Sequence, residues 1–193
     1  SRSFFDSRTD LFYEFYRNRM IYREALPNSC HTALAELEDM GRLKAVITQN
    51  IDGLHQAAGS RSVLELHGGM SRNFCMACGR EFSLDYVVES TEGVPCCDRC
   101  GGVVKPDVVL YEEPLNQEVI KKSVEYIREA EVLVVIGTSL VVYPAAGLID
   151  YYQGDRLILI NKSATPYDSR ANLVINRKAG EVMRDIVEGI RAS

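Results

Sequence analysis

Apolar residues recur along this chain in two rhythms, one helical and one continuous. Between 28 and 40, Ala33, Leu34, Leu37 and Met40 fall three or four apart, which predicts one helix. Asn28 or Ser29 can cap it, and Gly41 ends it. Residues 4–24 are rich in aromatics and arginine, and Phe12, Phe15, Tyr16 and Arg19 recur at helical spacing. Further helices are expected over 116–130, from 143 with Pro144 in the first turn, and over 181–190. There Val182, Ile186, Val187 and Ile190 share the inner side.

Between these helices lie short apolar runs without alternation. "KAVITQ" (44–49), "SVLELHG" (62–68), "VLVVIG" (132–137) and "RLILIN" (156–161) read as buried strands. A run without polar positions suits a strand covered on both faces. "DVVLY" (107–111) is a further strand. Strands alternating with helices predict an α/β fold: a doubly wound, parallel, Rossmann-like sheet. The alternation stops over 71–104 and resumes after it, so that segment reads as an inserted module. The expected organisation is a helical module over 1–25, the sheet domain over 26–70 and 105–193, and a small module over 71–104.

Composition narrows the partners. The chain has 193 residues, 46% hydrophobic and 25% charged, with a net charge of −5 and no long basic block. Those values are ordinary for a globular protein and make nucleic acid a poor partner. No apolar run has the length of a membrane span. The expected location is the cytoplasm. The 6 cysteines matter more. Cys75 and Cys78 form one C-x-x-C, Cys97 and Cys100 another, with 18 residues between the pairs. That spacing fits a four-thiolate zinc ribbon. Two redox pairs are the competing reading, and zinc is favoured in an intracellular α/β protein. Cys96 and Cys100 would make C-x-x-x-C, so Cys97 is the expected ligand.

Ligands of open α/β sheets bind beyond the carboxyl ends of the strands. Gln49, Asn50 and Asp52 follow one strand, His67 another, Thr138 and Ser139 a third, Asn161 a fourth. Each alone has a plain structural reading as a helix cap, a turn residue or a hydrogen-bonded histidine. Their shared position predicts one cleft for a polar, nucleotide-sized ligand.

"TQNIDGLH", "LELHG", the two cysteine pairs, "GTSLVVYPAA" and "ILIN" stand in the order of the sirtuin family, and together they resemble it over 26–190. The small size resembles bacterial members. The resemblance implies an NAD-dependent protein acyl-lysine deacylase. Its products would be nicotinamide, O-acyl-ADP-ribose and free lysine. It implies that Asp52 accepts from the nicotinamide carboxamide and that Ile51 backs the ring. Asn50 would hold the ribose and an ordered water, and Gln49 the ribose hydroxyls. Gly137, Thr138 and Ser139 would bind phosphate and adenosine ribose, with Asn161 on that ribose. His67 would be the general base, a role that suits an imidazole. Val109, Leu110 and Val142 would flank a channel in which substrate backbone adds as a strand. The zinc would be structural, and the partner an acyl-lysine protein or peptide rather than nucleic acid or membrane.

Tyr16-Arg17-Asn18-Arg19 fits the Tyr-x-x-Arg of members that remove succinyl or malonyl groups, which makes Tyr16 and Arg19 candidates for an acyl pocket. Tyr13-Glu14-Phe15-Tyr16 can occupy the same place and has no arginine. Two further points depart from the family pattern. Its glycine-rich turn and the Asp-Phe-Arg after it are expected upstream of Ser1. Its Phe-Phe-Gly-Glu reads Leu-Tyr-Glu-Glu here, so that Glu112 replaces a glycine. Mono-ADP-ribosyl transfer on the same fold is the alternative reaction. A non-enzymatic zinc-ribbon module is the alternative class, and it leaves the strand-end residues without a reason.

Overall fold

A computed structural model describes residues 1–90 and 93–192. Thr91 and Glu92, within the expected ribbon, and Ser193 lie outside the described residues. The helices are α1 (Arg2–Ser7), α2 (Thr9–Phe15), α3 (Ser29–Asp39), α4 (Leu54–Ala57), α5 (Leu84–Glu89), α6 (Gln117–Glu129) and α7 (Ala179–Arg191). The strands are β1 (Val46–Thr48), β2 (Val63–Glu65), β3 (Gly68–Cys75), β4 (Glu81–Ser83), β5 (Val104–Val108), β6 (Leu133–Ile136), β7 (Leu157–Ile160) and β8 (Leu173–Ile175). The chain forms two compact units. Ser1–Ala25, Thr48–Gly53 and His67–Asn116 make the first; Leu26–Ile47, Leu54–Leu66 and Gln117–Ser193 make the second. No helix among the described residues is long and apolar enough to cross a membrane.

The first unit is built on an antiparallel sheet of order β4-β3-β5. The N-terminal helices supply most of its aromatic core. Phe5, Phe12, Tyr13 and Tyr16 pack with Phe82, Val87, Val104 and Val108. Burying one such side chain stabilises by about 1.5–3 kcal/mol. Phe12 stacks on Tyr16 at 5.6 Å, and Phe5 meets Phe12 edge-on at 4.9 Å. Phe15, expected on this face, is 57% exposed, while Tyr13 is 0% exposed. Successive helical residues lie about 100° apart. The buried face takes in Phe12, Tyr13 and Tyr16, and Phe15 lies about 110° from its middle, turned outward. After α2 the chain winds into a π-helical turn, Tyr16–Met20.

The second unit carries the parallel sheet β6-β7-β8 and the pair β1-β2. The sheet is covered on both faces, and β7 shows how. Ile158 and Ile160 pack with Leu34, Leu37, Val182 and Val187 of α3 and α7. Leu157 and Leu159 pack with Leu140, Ile149 and Tyr167 on the opposite side. Continuous apolarity in 156–161 is thus explained by two cores. In β6 the cover is partial: Ile136 joins the α3–α7 layer, whereas Val134 is 36% exposed. The helix expected from 143 is a 3-10 helix, Ala145–Tyr151, whose Ala145 and Leu148 pack against Leu66 and Ile127. Asn28 is the cap of α3: its side chain accepts from the N–H groups of Cys30 and His31. His31 Nδ1 accepts from Asn28 N–H in return, at 3.2 Å, in the place usually held by Glu or Gln.

Candidate active site and metal centre

The expected strand over 62–68 is interrupted before its end. β2 ends at Glu65, Leu66 and His67 form a turn, and β3 begins at Gly68. Gly68 has φ +71°, and a Cβ there would lie 1.8 Å from the Asp107 carbonyl oxygen. Only glycine lets the chain turn so close to β5. The turn brings His67 Nδ1 to 2.9 Å from the backbone oxygen of Gln49. A carbonyl oxygen only accepts, so Nδ1 carries a proton, and in the neutral ring Nε2 then holds the lone pair. The His67 carbonyl accepts from Val109 N–H at 3.0 Å, and the Ile51 carbonyl accepts from Met70 N–H at 3.0 Å. Gln49, Ile51, His67 and Val109 are therefore tied together within one unit. Asn50 and Asp52 are exposed, and Ile51 leans on the aromatic core. Leu110 is half-buried one residue beyond Val109.

In the second unit the polar residues sit where β6 and β7 end. Gly137 N–H donates to Ile160 O at 2.9 Å, and Asn161 Nδ2 donates to Thr138 O at 3.3 Å. The two carboxyl ends are thus stitched by an amide side chain. Thr138 Oγ1 accepts from Leu140 N–H at 3.3 Å, and Leu140 is held at φ +54°. Such a backbone is uncommon for a leucine and persists where the surroundings over-determine it. Gly137 has φ +63° and no atom within 4 Å of an ideal Cβ, which leaves bare backbone open to a ligand. Ser139 and Val142 are exposed. Hydroxyls, an amide and open backbone at a carboxyl end suit the ribose and phosphate oxygens of a dinucleotide.

The cysteines converge as their spacing predicts. The sulfurs of Cys75, Cys78, Cys97 and Cys100 all lie within 4.8 Å of one another. Cys75 Sγ is 3.4 Å from Cys100 Sγ, and Cys78 Sγ is 3.8 Å from Cys97 Sγ. A tetrahedral zinc with bonds of about 2.3 Å sets sulfurs roughly 3.8 Å apart, so the four positions fit that ion. The two knuckles are built alike. Gly79 N–H donates to Cys75 O and Gly101 N–H to Cys97 O, each at 2.9 Å. Both glycines have positive φ, +71° and +74°. The repeated C-x-x-C-G is the sequence signal of this turn. Cys78 N–H, 3.5 Å from Cys75 Sγ, is the main cause that pulls the Cys75 thiol down to about 6, against the effect of burial. For Cys100 the Gly102 N–H pulls down but is outweighed by the neighbouring sulfurs, which push it up to about 12. Four clustered sulfurs resist joint ionisation until a dication neutralises them. Cys96 Sγ stands aside and donates to Val94 O at 3.4 Å.

Burial separates the two acyl-pocket candidates. Tyr16 is 0% exposed inside the aromatic core, whereas Arg19 is exposed. Sequence reasoning passed over Lys105 and Glu113, a half-buried ion pair at 3.1 Å in the segment that carries Val109. Two adjacent carboxylates just after a strand, Glu112 and Glu113, were the available signal.

A parallel sheet wound on both faces, polar strand ends and a tetrathiolate ribbon define the class: an α/β nucleotide-binding protein with a structural metal module. The Sir2 family model matches residues 1–144. An NAD-dependent protein deacetylase of Clostridium tetani is 59% identical over 188 residues, 97% of this chain and 76% of that protein. A protein of the same name from Clostridium acetobutylicum is 57% identical over 187 residues, again 97% and 76%. Among solved structures, a complex described as Sir2, p53 peptide and NAD+ superposes with a TM-score of 0.91 at 37% identity, covering 100% of this chain and 82% of that one. A Sir2 complex with an inhibitor, 2'-O-acetyl-ADP-ribose and deacetylated p53 peptide gives 0.90 at 38%, covering 100% and 85%. The chain belongs to the Sir2 family.

Proposed function

We propose that this protein is an NAD-dependent protein deacetylase in which His67 is the general base. The observation that carries the reading is the bond from His67 Nδ1 to the Gln49 carbonyl. In the neutral ring it selects the tautomer that leaves Nε2 able to take a proton, and it fastens that base to the segment bearing Asn50 and Asp52. NAD, when bound, would supply an electrophilic ribose carbon for the acyl-lysine oxygen. In this reading Gln49 and Asn50 hold the ribose, Ile51 backs the nicotinamide, and Asp52 accepts from its carboxamide. Nε2 of His67 takes a ribose hydroxyl proton. Gly137, Thr138, Ser139 and Asn161 hold the phosphate and adenosine-ribose end. Val109, Leu110 and Val142 line the path of the peptide backbone. One zinc on Cys75, Cys78, Cys97 and Cys100 is structural, because four thiolates leave no open position for water. The cytoplasm suits such a site, since thiols stay reduced there.

Similarity to proteins named as NAD-dependent protein deacetylases supports acetyl removal over ADP-ribosyl transfer. The test is nicotinamide release from an acetyl-lysine peptide, with and without His67→Ala. Loss of at least ~100-fold, the lower range for removing a general base, is expected while NAD binding persists. Near-normal turnover in His67→Ala would mean that another group is the base. Release with the ADP-ribose label retained on protein would favour transfer.

A further inference from the structure

Leu110 to Glu113, where this sequence departs from the family pattern, is fastened to the start of the chain by two neighbouring carboxylates. Glu113 Oε2 accepts from Leu110 N–H at 2.8 Å and from Lys105 Nζ at 3.1 Å, while Oε1 accepts from Arg2 at 3.1 Å. Lys105 Nζ also donates to Val108 O at 3.0 Å. Glu112 Oε2 accepts from Ser3 N–H at 2.8 Å, and Oε1 accepts from the Ser3 hydroxyl at 3.0 Å. Arg2 N–H donates to Tyr111 O at 2.9 Å. Glu112 holds φ +79°, a conformation in which glycine is at ease and glutamate is strained. A glutamate persists there when its side chain makes bonds a glycine cannot, and the Ser3 bonds meet that condition. They also keep its carboxyl below the usual range.

We propose that Glu112 and Glu113 are positioning residues: a latch that clamps α1 onto the 110–113 turn and so holds Val109 and Leu110 in the shape that receives substrate backbone. This rests on the peptide-edge reading given above. The latch acts on the substrate strand and not on the chemistry. Val109, the residue it steadies, donates to the His67 carbonyl, so the strand and the base share one backbone bond.

The test compares an acetylated peptide with a single acetyl-lysine blocked at both termini, which has no flanking backbone to pair. Glu112→Gly relieves the strained φ and removes the Ser3 half of the clamp. Relief of strain offsets the two lost Ser3 bonds, so it should keep the unfolding midpoint near that of the wild type and raise peptide KM roughly tenfold, about 1.4 kcal/mol of lost strand order. The KM for NAD and turnover of blocked acetyl-lysine should not change. Glu112→Gln keeps an acceptor for Ser3 N–H and should recover most of the peptide affinity. An unchanged peptide KM in Glu112→Gly overturns the latch, as does an equal rise for both substrates. If the wild type turns over neither substrate, the deacetylase reading fails, and amide exchange still decides the latch. Val109 and Leu110 N–H should then exchange faster in Glu112→Gly, and equal rates overturn it.

Discussion

At the residue scale, Tyr16 and Arg19 show what a one-dimensional motif leaves out. Tyr-x-x-Arg places a phenol and a guanidinium three residues apart, a spacing that suits one helix face. The chain instead enters a π-helical turn at Tyr16, buries that ring against Phe12 and leaves Arg19 exposed. Arg19→Met is therefore expected to leave the ratio of kcat/KM on acetyl- and succinyl-lysine versions of one peptide unchanged. A selective loss on the succinyl peptide would assign Arg19 to the acyl pocket. The clustering of the four cysteines was legible from their metal spacing, and so was the position of His67 just after a strand. The pairing of Lys105 with Glu113 was not, because two adjacent carboxylates do not say which cation meets them.

At the element scale, helix α3 was legible from its apolar spacing, while its cap, open between Asn28 and Ser29 in the sequence, is Asn28. Asn28→Ala should lower stability by about 1 kcal/mol, read from the denaturant midpoint. The segment after β5 supplies a pH-dependent term. Burial raises the Glu113 pKa, but Leu110 N–H, Lys105 and Arg2 overcome it, so the group lies below its ordinary value of 4.5. A carboxyl depressed in the folded state stabilises fully above its unfolded value and loses that contribution as pH falls through the folded one. Wild-type stability should thus fall more steeply below pH 4.5 than that of Glu113→Gln. Parallel slopes would show that the pair contributes nothing. Elements whose bounds depend on distant contacts were less legible. The turn at Leu66 and His67 exists because Gly68 must pass beside the Asp107 carbonyl, a partner far along the chain.

At the scale of the whole molecule, the α/β alternation was legible because two cores impose continuous apolarity on β7. The make-up of the first unit was not, because it is drawn from three separate stretches of chain. Within it the metal ligands are not peripheral. Cys75 and Cys97 belong to the same buried cluster as Tyr16, Val104 and Val108. Tyr13 and Arg17 extend that link through the carbonyls of Val104 and Val87. Cys97→Ala is expected to release zinc and destabilise this unit, whereas Cys96→Ala should retain one zinc per chain. Stoichiometric metal in Cys97→Ala would refute the ligand set. The four thiolates also make folding a mass-action equilibrium with the ion. While the site is saturable and only the folded chain binds, each tenfold fall in free zinc withdraws about 1.4 kcal/mol from the folded state. The melting temperature should therefore decline steadily with the logarithm of free zinc in a metal-buffered titration.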